Sequence, residues 1–145
     1  MKKQAYTLIG ALVFATMIAF STVNAQSNNY ELIANIPFAF SAGSQTLPAG
    51  KYRVTVVNPS SDQRVLKLTN TDGKTVIVAM HSVEGKARNN ARLVFHRYGD
   101  QFFLAQAWTA SDPLGLEAPR TRAERAGELA RNERGIETIA MAAKR

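Results

Sequence analysis

From Tyr30 onward, apolar and polar positions alternate in short runs with a period of two, the pattern of half-buried strands. Lys51 to Val57 is the clearest run: Tyr52, Val54 and Val56 fall on one face, and Arg53, Thr55 and Val57 on the other. Glu31 to Phe40 reads as a strand with Phe38 and Phe40 on one face; Pro37 lacks a donor, which places it at an edge or a bulge. Ser41 to Gly50 reads as a turn-rich loop, and Asn58 to Asp62 as a second. Val65 to Asn70 and Lys74 to Val83 flank Thr71-Asp72-Gly73. A type I′ turn centred on Asp72-Gly73 would set Leu68 opposite Ile77 and Leu66 opposite Ala79; a slip of one residue would exchange the two faces. Ala91 to Tyr98 and Gln101 to Thr109 flank Gly99-Asp100, where a leading glycine suits a type II′ turn. That register faces Phe95 with Leu104 and Leu93 with Gln106, and puts Ala91 and Trp108 on the core face. The reverse face carries Val94, His96, Tyr98, Phe103, Ala105 and Ala107, apolar enough to need a cover.

A cover follows in the chain. Good helix formers run from Arg122 to Arg134, and Thr121 with Glu124 matches a capping box. Ala123, Ala126, Leu129 and Ala130 make a thin apolar stripe, and Gly135 suits a C-cap. Ile136 to Ala143 reads as a last strand with Ile139 and Met141 on one face, or as more helix. No strand–helix alternation suggests a parallel sheet. The expected fold is all-β: an antiparallel β-sandwich or partly open barrel of six to seven strands with one C-terminal helix. The expected organisation is a segment 1–25, a β-domain 26–116, and a C-terminal part 117–145 packing on the same domain.

The first segment departs from this pattern. Lys2-Lys3 precede an apolar run from Leu8 to Phe20, and Val23-Asn24-Ala25 ends it. This is the layout of a secretory signal peptide cut between Ala25 and Gln26. The run is too short for the roughly twenty apolar residues of a transmembrane helix, and no later stretch approaches that length. The mature chain is thus expected in the periplasm or secreted, with no transmembrane span.

Composition narrows the chemistry. There is no cysteine, so disulfides, thiolate metal sites and cysteine nucleophiles are excluded. The net charge of +7 falls to +5 once Lys2 and Lys3 are removed. The surplus is dispersed along the chain, unlike the clustered basic face of nucleic-acid binders, and no nucleic-acid partner is expected. Such a charge serves solubility, and it also fits weak attraction to anionic envelope polymers or lipid surfaces.

The two histidines, His81 and His96, are too few for a zinc site without further ligands. No Gly-x-Ser-x-Gly elbow, Asp-x-Asp-x-Asp run or glycine-rich phosphate loop occurs, and no cofactor is expected. His96, Tyr98 and Phe103 share a strand face and form the candidate ligand-binding group, able to stack on a sugar ring or partner side chain if no helix covers them. The Ser41 to Pro48 loop is a second candidate surface. Trp108 reads as a packing residue. The enzyme alternative is an exported hydrolase whose site would be assembled from His81, His96, Glu84 and Asp100.

Leu47-Pro48-Ala49-Gly50-Lys51-Tyr52-Arg53-Val54 resembles the Leu-Pro-Ala-Gly-x-Tyr-x-Val segment of small exported bacterial proteins of acidobacterial type. Phe38-x-Phe40, Leu93 to Gly99 and Trp108-Thr109 are similar to their pattern as well. The resemblance implies a β-rich exported domain and brings no established activity or catalytic residues. Together these readings lead to the expectation of an exported, non-enzymatic β-domain that binds an unidentified envelope or extracellular partner, or has a structural role there.

Overall fold

The computed structural model describes residues 31–131 and 135–144, so the expected signal segment and its cut between Ala25 and Gln26 lie outside the described residues. Ten strands and one helix follow in chain order: β1 (Glu31–Ile36), β2 (Phe40–Ala42), β3 (Gln45–Leu47), β4 (Gly50–Val56), β5 (Arg64–Asn70), β6 (Thr75–Glu84), β7 (Ala91–Tyr98), β8 (Gln101–Trp108), β9 (Leu114–Glu117), α1 (Arg122–Arg131) and β10 (Ile136–Lys144). The chain is mostly β with one C-terminal helix.

All ten strands belong to one sheet, in the order β3-β2-β8-β7-β10-β1-β4-β5-β6-β9. Neighbours are antiparallel except for one parallel bridge, Ser41 to Phe103, between β2 and β8. The sheet curls until β9 meets β8 over a short ladder, Gln106 with Glu117 and Ala107 with Leu116. It remains partly open, because the first half of β6 pairs only with β5 while its second half pairs with β9. This corrects the sandwich alternative and the expected six to seven strands. The extra strands come from Ser41 to Gly50, which holds the small β2–β3 hairpin around Gly43 (φ 59°), and from Leu114–Glu117.

The last strand lies mid-sheet. β10 pairs with β7 from Ile136 to Ala142 and with β1 from Ala142 to Lys144. The strand alternative for residues 136–143 is therefore the one adopted, and the two ends of the described chain meet side by side.

The inside of the curl is filled by alternate residues of β1, β4, β5, β6 and β7, with Leu104 and Ala107 of β8. Leu32, Ala34, Ile36, Tyr52, Val54, Leu66 and Leu68 face Val76, Val78, Met80, Leu93, Phe95 and Leu104, all buried. Phe40 meets Tyr52 and Phe95 edge-on at 5.3 and 5.2 Å, a favoured aromatic geometry. Pro37 ends β1, and Phe38 beyond it stacks on Phe102 at 3.9 Å, closing one mouth.

Two registers differ from expectation for identifiable reasons. At Thr71-Asp72-Gly73 the loop has three residues, with Gly73 in the left-handed region (φ 80°) and Asn70 Oδ1 accepting from Lys74 N–H at 2.7 Å. Leu68 therefore faces Val76 and Leu66 faces Val78. The slip places Val76, Val78 and Met80 inside and leaves Ile77 63% exposed. The alternative register would have turned Ala79 and His81 inward, a poorer filling of the core.

The second hairpin turns as expected at Gly99 (φ 62°), pairing Tyr98 with Gln101 and Phe95 with Leu104. A bulge then intervenes, because Val94 pairs with Gln106 and Leu93 with Ala107. The extra residue, Ala105, moves Trp108 to the outer face beside Arg92, so Trp108 does not share the core face with Ala91.

Candidate functional site

The outer face of β7 and β8 is covered at both ends. At the turn end, α1 lies over His96 and Tyr98, and the Phe103 ring packs edge-on against Tyr98 at 5.8 Å. Thr121 caps the helix, its Oγ1 accepting from Glu124 N–H at 3.1 Å. The Glu124 side chain points into the sheet and is buried. Its Oε1 accepts from His96 Nδ1–H at 2.7 Å and from Tyr98 O–H at 3.3 Å. A carboxylate only accepts, which fixes the proton on Nδ1. Burial, followed by the Glu124 charge, raises the Tyr98 phenol above its ordinary value.

Gly127 faces the sheet, and a Cβ there would lie 3.7 Å from Tyr98 Cβ, an ordinary contact that leaves room for alanine. Arg120 donates to Glu128 at 2.8 Å on the same helix flank. The stripe expected to dock is solvent-facing instead, with Leu129 82% exposed and Ala123, Ala126 and Ala130 also exposed. The helix is held through a buried acid, Glu124. The open aromatic platform expected at His96, Tyr98 and Phe103 is absent, since Tyr98 and Phe103 are only 2% and 4% exposed.

At the other end, Trp108 lies against Gly85 and Gly115. A Cβ on either glycine would come within 2.4 or 2.6 Å of the indole, so neither position has room for a side chain. The Arg92 guanidinium sits over the indole, 4.8 Å from the ring centroid. Burial, with Arg88 nearby, lowers the Arg92 pKa from its ordinary value. Trp108 Nε1 donates to Gln106 Oε1 at 3.0 Å, and Gln106 Nε2 reaches Glu117 at 3.4 Å. His81 lies 3.4 Å from the other Glu117 oxygen.

The four residues of the hydrolase alternative are thus not assembled. His81 pairs with Glu117 and His96 with Glu124. Glu84 is at the exposed end of β6 opposite Leu114, and Asp100 is in the β7–β8 turn. Among the described residues, no group of three or more His, Asp or Glu is placed to hold a metal ion. The Ser41 to Pro48 candidate loop is the β2–β3 hairpin, with Phe40, Ala42 and Leu47 buried.

Among the described residues, the inside of the curl is occupied by the packed core. One apolar cleft opens at its end between Val56, Arg64, Trp108 and Leu114, with an interior of about 20 Å³, room for one water. The large recess lies outside, on the solvent face of β1, β4 and β5. It measures about 890 Å³, and the β5–β6 turn, with Asn70, Thr71 and Gly73, forms part of its lining.

Strand register builds this recess in rows. Glu31, Thr55 and Lys67 are cross-strand partners in one row; Ile33, Arg53, Thr69 and Thr75 make the next. Lys51 continues the face one step further, beside Asn35. Arg53 Nε is 3.1 Å from Glu31, and the Thr69 and Thr75 hydroxyls are 3.1 Å apart. Three cations stand against one carboxylate, and every residue of these rows except Ile33 is polar. The signal for this face was present in the alternation of Lys51, Arg53 and Thr55. The slipped Asp-Gly register hid that Thr75 joins it.

The chain matches no protein-family model, no curated protein and no solved structure.

Proposed function

We propose that this protein is an exported, non-enzymatic β-domain acting as a binding or structural module in the cell envelope or outside the cell. The observation that carries the reading is the division of labour among its polar side chains. On the β7–β8 side, His96 and Tyr98 are engaged by Glu124 under the helix, and His81 by Glu117 at the β6–β9 edge. The outer face of β1, β4 and β5 is polar, recessed and open to solvent. A filled interior leaves binding to the outside of the sheet.

The layout of residues 1–25 supports export and a periplasmic or secreted location. The resemblance to small exported bacterial β-proteins supports the same reading, and its motif has a physical role here. Tyr52 O–H donates to the Pro48 carbonyl at 2.6 Å, Leu47 and Tyr52 are buried, and Gly50 takes a φ of 154°. The segment ties a turn to the core and contributes no reactive group.

Cell fractionation with N-terminal sequencing tests this. The expected result is a chain beginning at Gln26, outside the cytoplasm, that sediments with isolated envelope material. An intact N-terminus in the cytosol, or no association with that material, would contradict it.

A further inference from the structure

We propose that the recess on β1, β4 and β5 binds an acidic polysaccharide of the polyuronate type, its carboxylates held by Lys51, Arg53 and Lys67. This rests on the binding-module reading and names the ligand class for it. Lys51 and Arg53 are two residues apart on β4, which sets their Cα atoms about 7 Å apart along one edge of the recess. Lys67 lies on the adjacent strand, one row further, opposite Thr55. The cations therefore follow a diagonal across two strands, suited to a polymer that repeats its charge along its length.

An ordinary solvated sheet face needs only a mixture of signs. Here Lys51, Arg53 and Lys67 exceed the one lining acid, Glu31, which is paired with Arg53, and a recess of net positive charge concentrates anions. Thr55, Thr69 and Thr75 add hydroxyls that both donate and accept, the chemistry that sugar hydroxyls require. Among the described residues no aromatic side chain lines the recess, so binding by these residues is electrostatic and hydrogen-bonded, without ring stacking.

The same features disfavour other polyanions. A bilayer is flatter than a recess of about 890 Å³, and the apolar Ile77 beside Lys67 stands outside its lining. Single-stranded nucleic acid would want aromatic platforms, which the described lining does not supply.

Binding of the purified protein to polygalacturonate, measured by calorimetry at low and high salt, tests the proposal. The expected result is binding that weakens by roughly tenfold or more at high salt, as charges beyond a Debye length become screened. Lys51 and Lys67 are both exposed, so Lys51→Gln/Lys67→Gln should keep the wild-type melting temperature while losing roughly tenfold or more in affinity. Lys51→Arg/Lys67→Arg should retain binding. Failure of the wild type to bind, equal binding by the glutamine variant, or equal binding to neutral dextran would overturn it. Preference for phosphatidylglycerol vesicles over polygalacturonate would also overturn it, as would salt-sensitive self-association through this face in place of polymer binding.

Sedimentation with isolated envelope material separates this proposal from the broader one. If wild type and glutamine variant sediment equally, the module reading stands and this site falls. If the wild type does not sediment, the module reading falls, and the polygalacturonate result alone decides the site.

Discussion

Glu124 shows how one side chain can be legible in type and misread in role. Its place three residues after Thr121 suggests a capping box, and the N-cap does form. The carboxylate, however, turns inward to His96 and Tyr98. Glu124→Ala would leave the His96 and Tyr98 donors buried without their acceptor, a loss of about 2 kcal/mol in urea denaturation. A loss within experimental error would mean that α1 docks by other contacts. Gly115→Ala meets the Trp108 ring and should cost about 1–3 kcal/mol through overpacking, accompanied by a shift in the emission of the single tryptophan. Unchanged stability and emission would contradict the packing described. Tyr52 and Tyr98 both have phenol pKa values raised above 10.0, each chiefly by burial. The fold therefore favours the neutral phenol: this contribution is whole below about pH 10 and is lost as pH rises through the folded-state values. In the chain that begins at Gln26, which keeps three tyrosines, phenolate absorbance should show Tyr52 and Tyr98 ionising late, together with alkaline unfolding, and one fewer late group in Tyr98→Phe. Titration of Tyr52 and Tyr98 near the ordinary value would refute it.

Among the elements, β10 has the largest consequence. It is inserted between β7 and β1, so removing it leaves two facing strand edges unpaired. A chain ending at Arg131 should lose its cooperative thermal transition; a sharp melt near the full-length value would show that the sheet does not depend on this strand. The strands themselves were readable because alternation and turn residues are local signals. The turn at Gly99-Asp100 needed only its two central residues. The turn after Asn70 was not settled by Asp72-Gly73, because the gain from burying Val76, Val78 and Met80 selects a three-residue loop. The bulge at Ala105 left no local mark, and it alone moves Trp108 to the outer face. The position of β10 depends on which strand edges remain free at the end of folding, which period-two patterning does not encode. The candidate face at His96, Tyr98 and Phe103 was legible as a group. Its covering depended on Glu124, a residue that a search for an apolar stripe passes over.

At the scale of the molecule, the curled sheet has a filled inside, an outer face guarded by α1 and by Trp108 packing, and an outer face left recessed and polar. Binding is assigned to the last of these. Backbone chemical-shift mapping of the purified protein titrated with oligogalacturonate tests that assignment most directly. The account predicts shifts concentrated at Lys51, Arg53, Thr55, Lys67 and Thr69. Shifts concentrated instead around His96 and Tyr98 or around Trp108, or none anywhere, would contradict it.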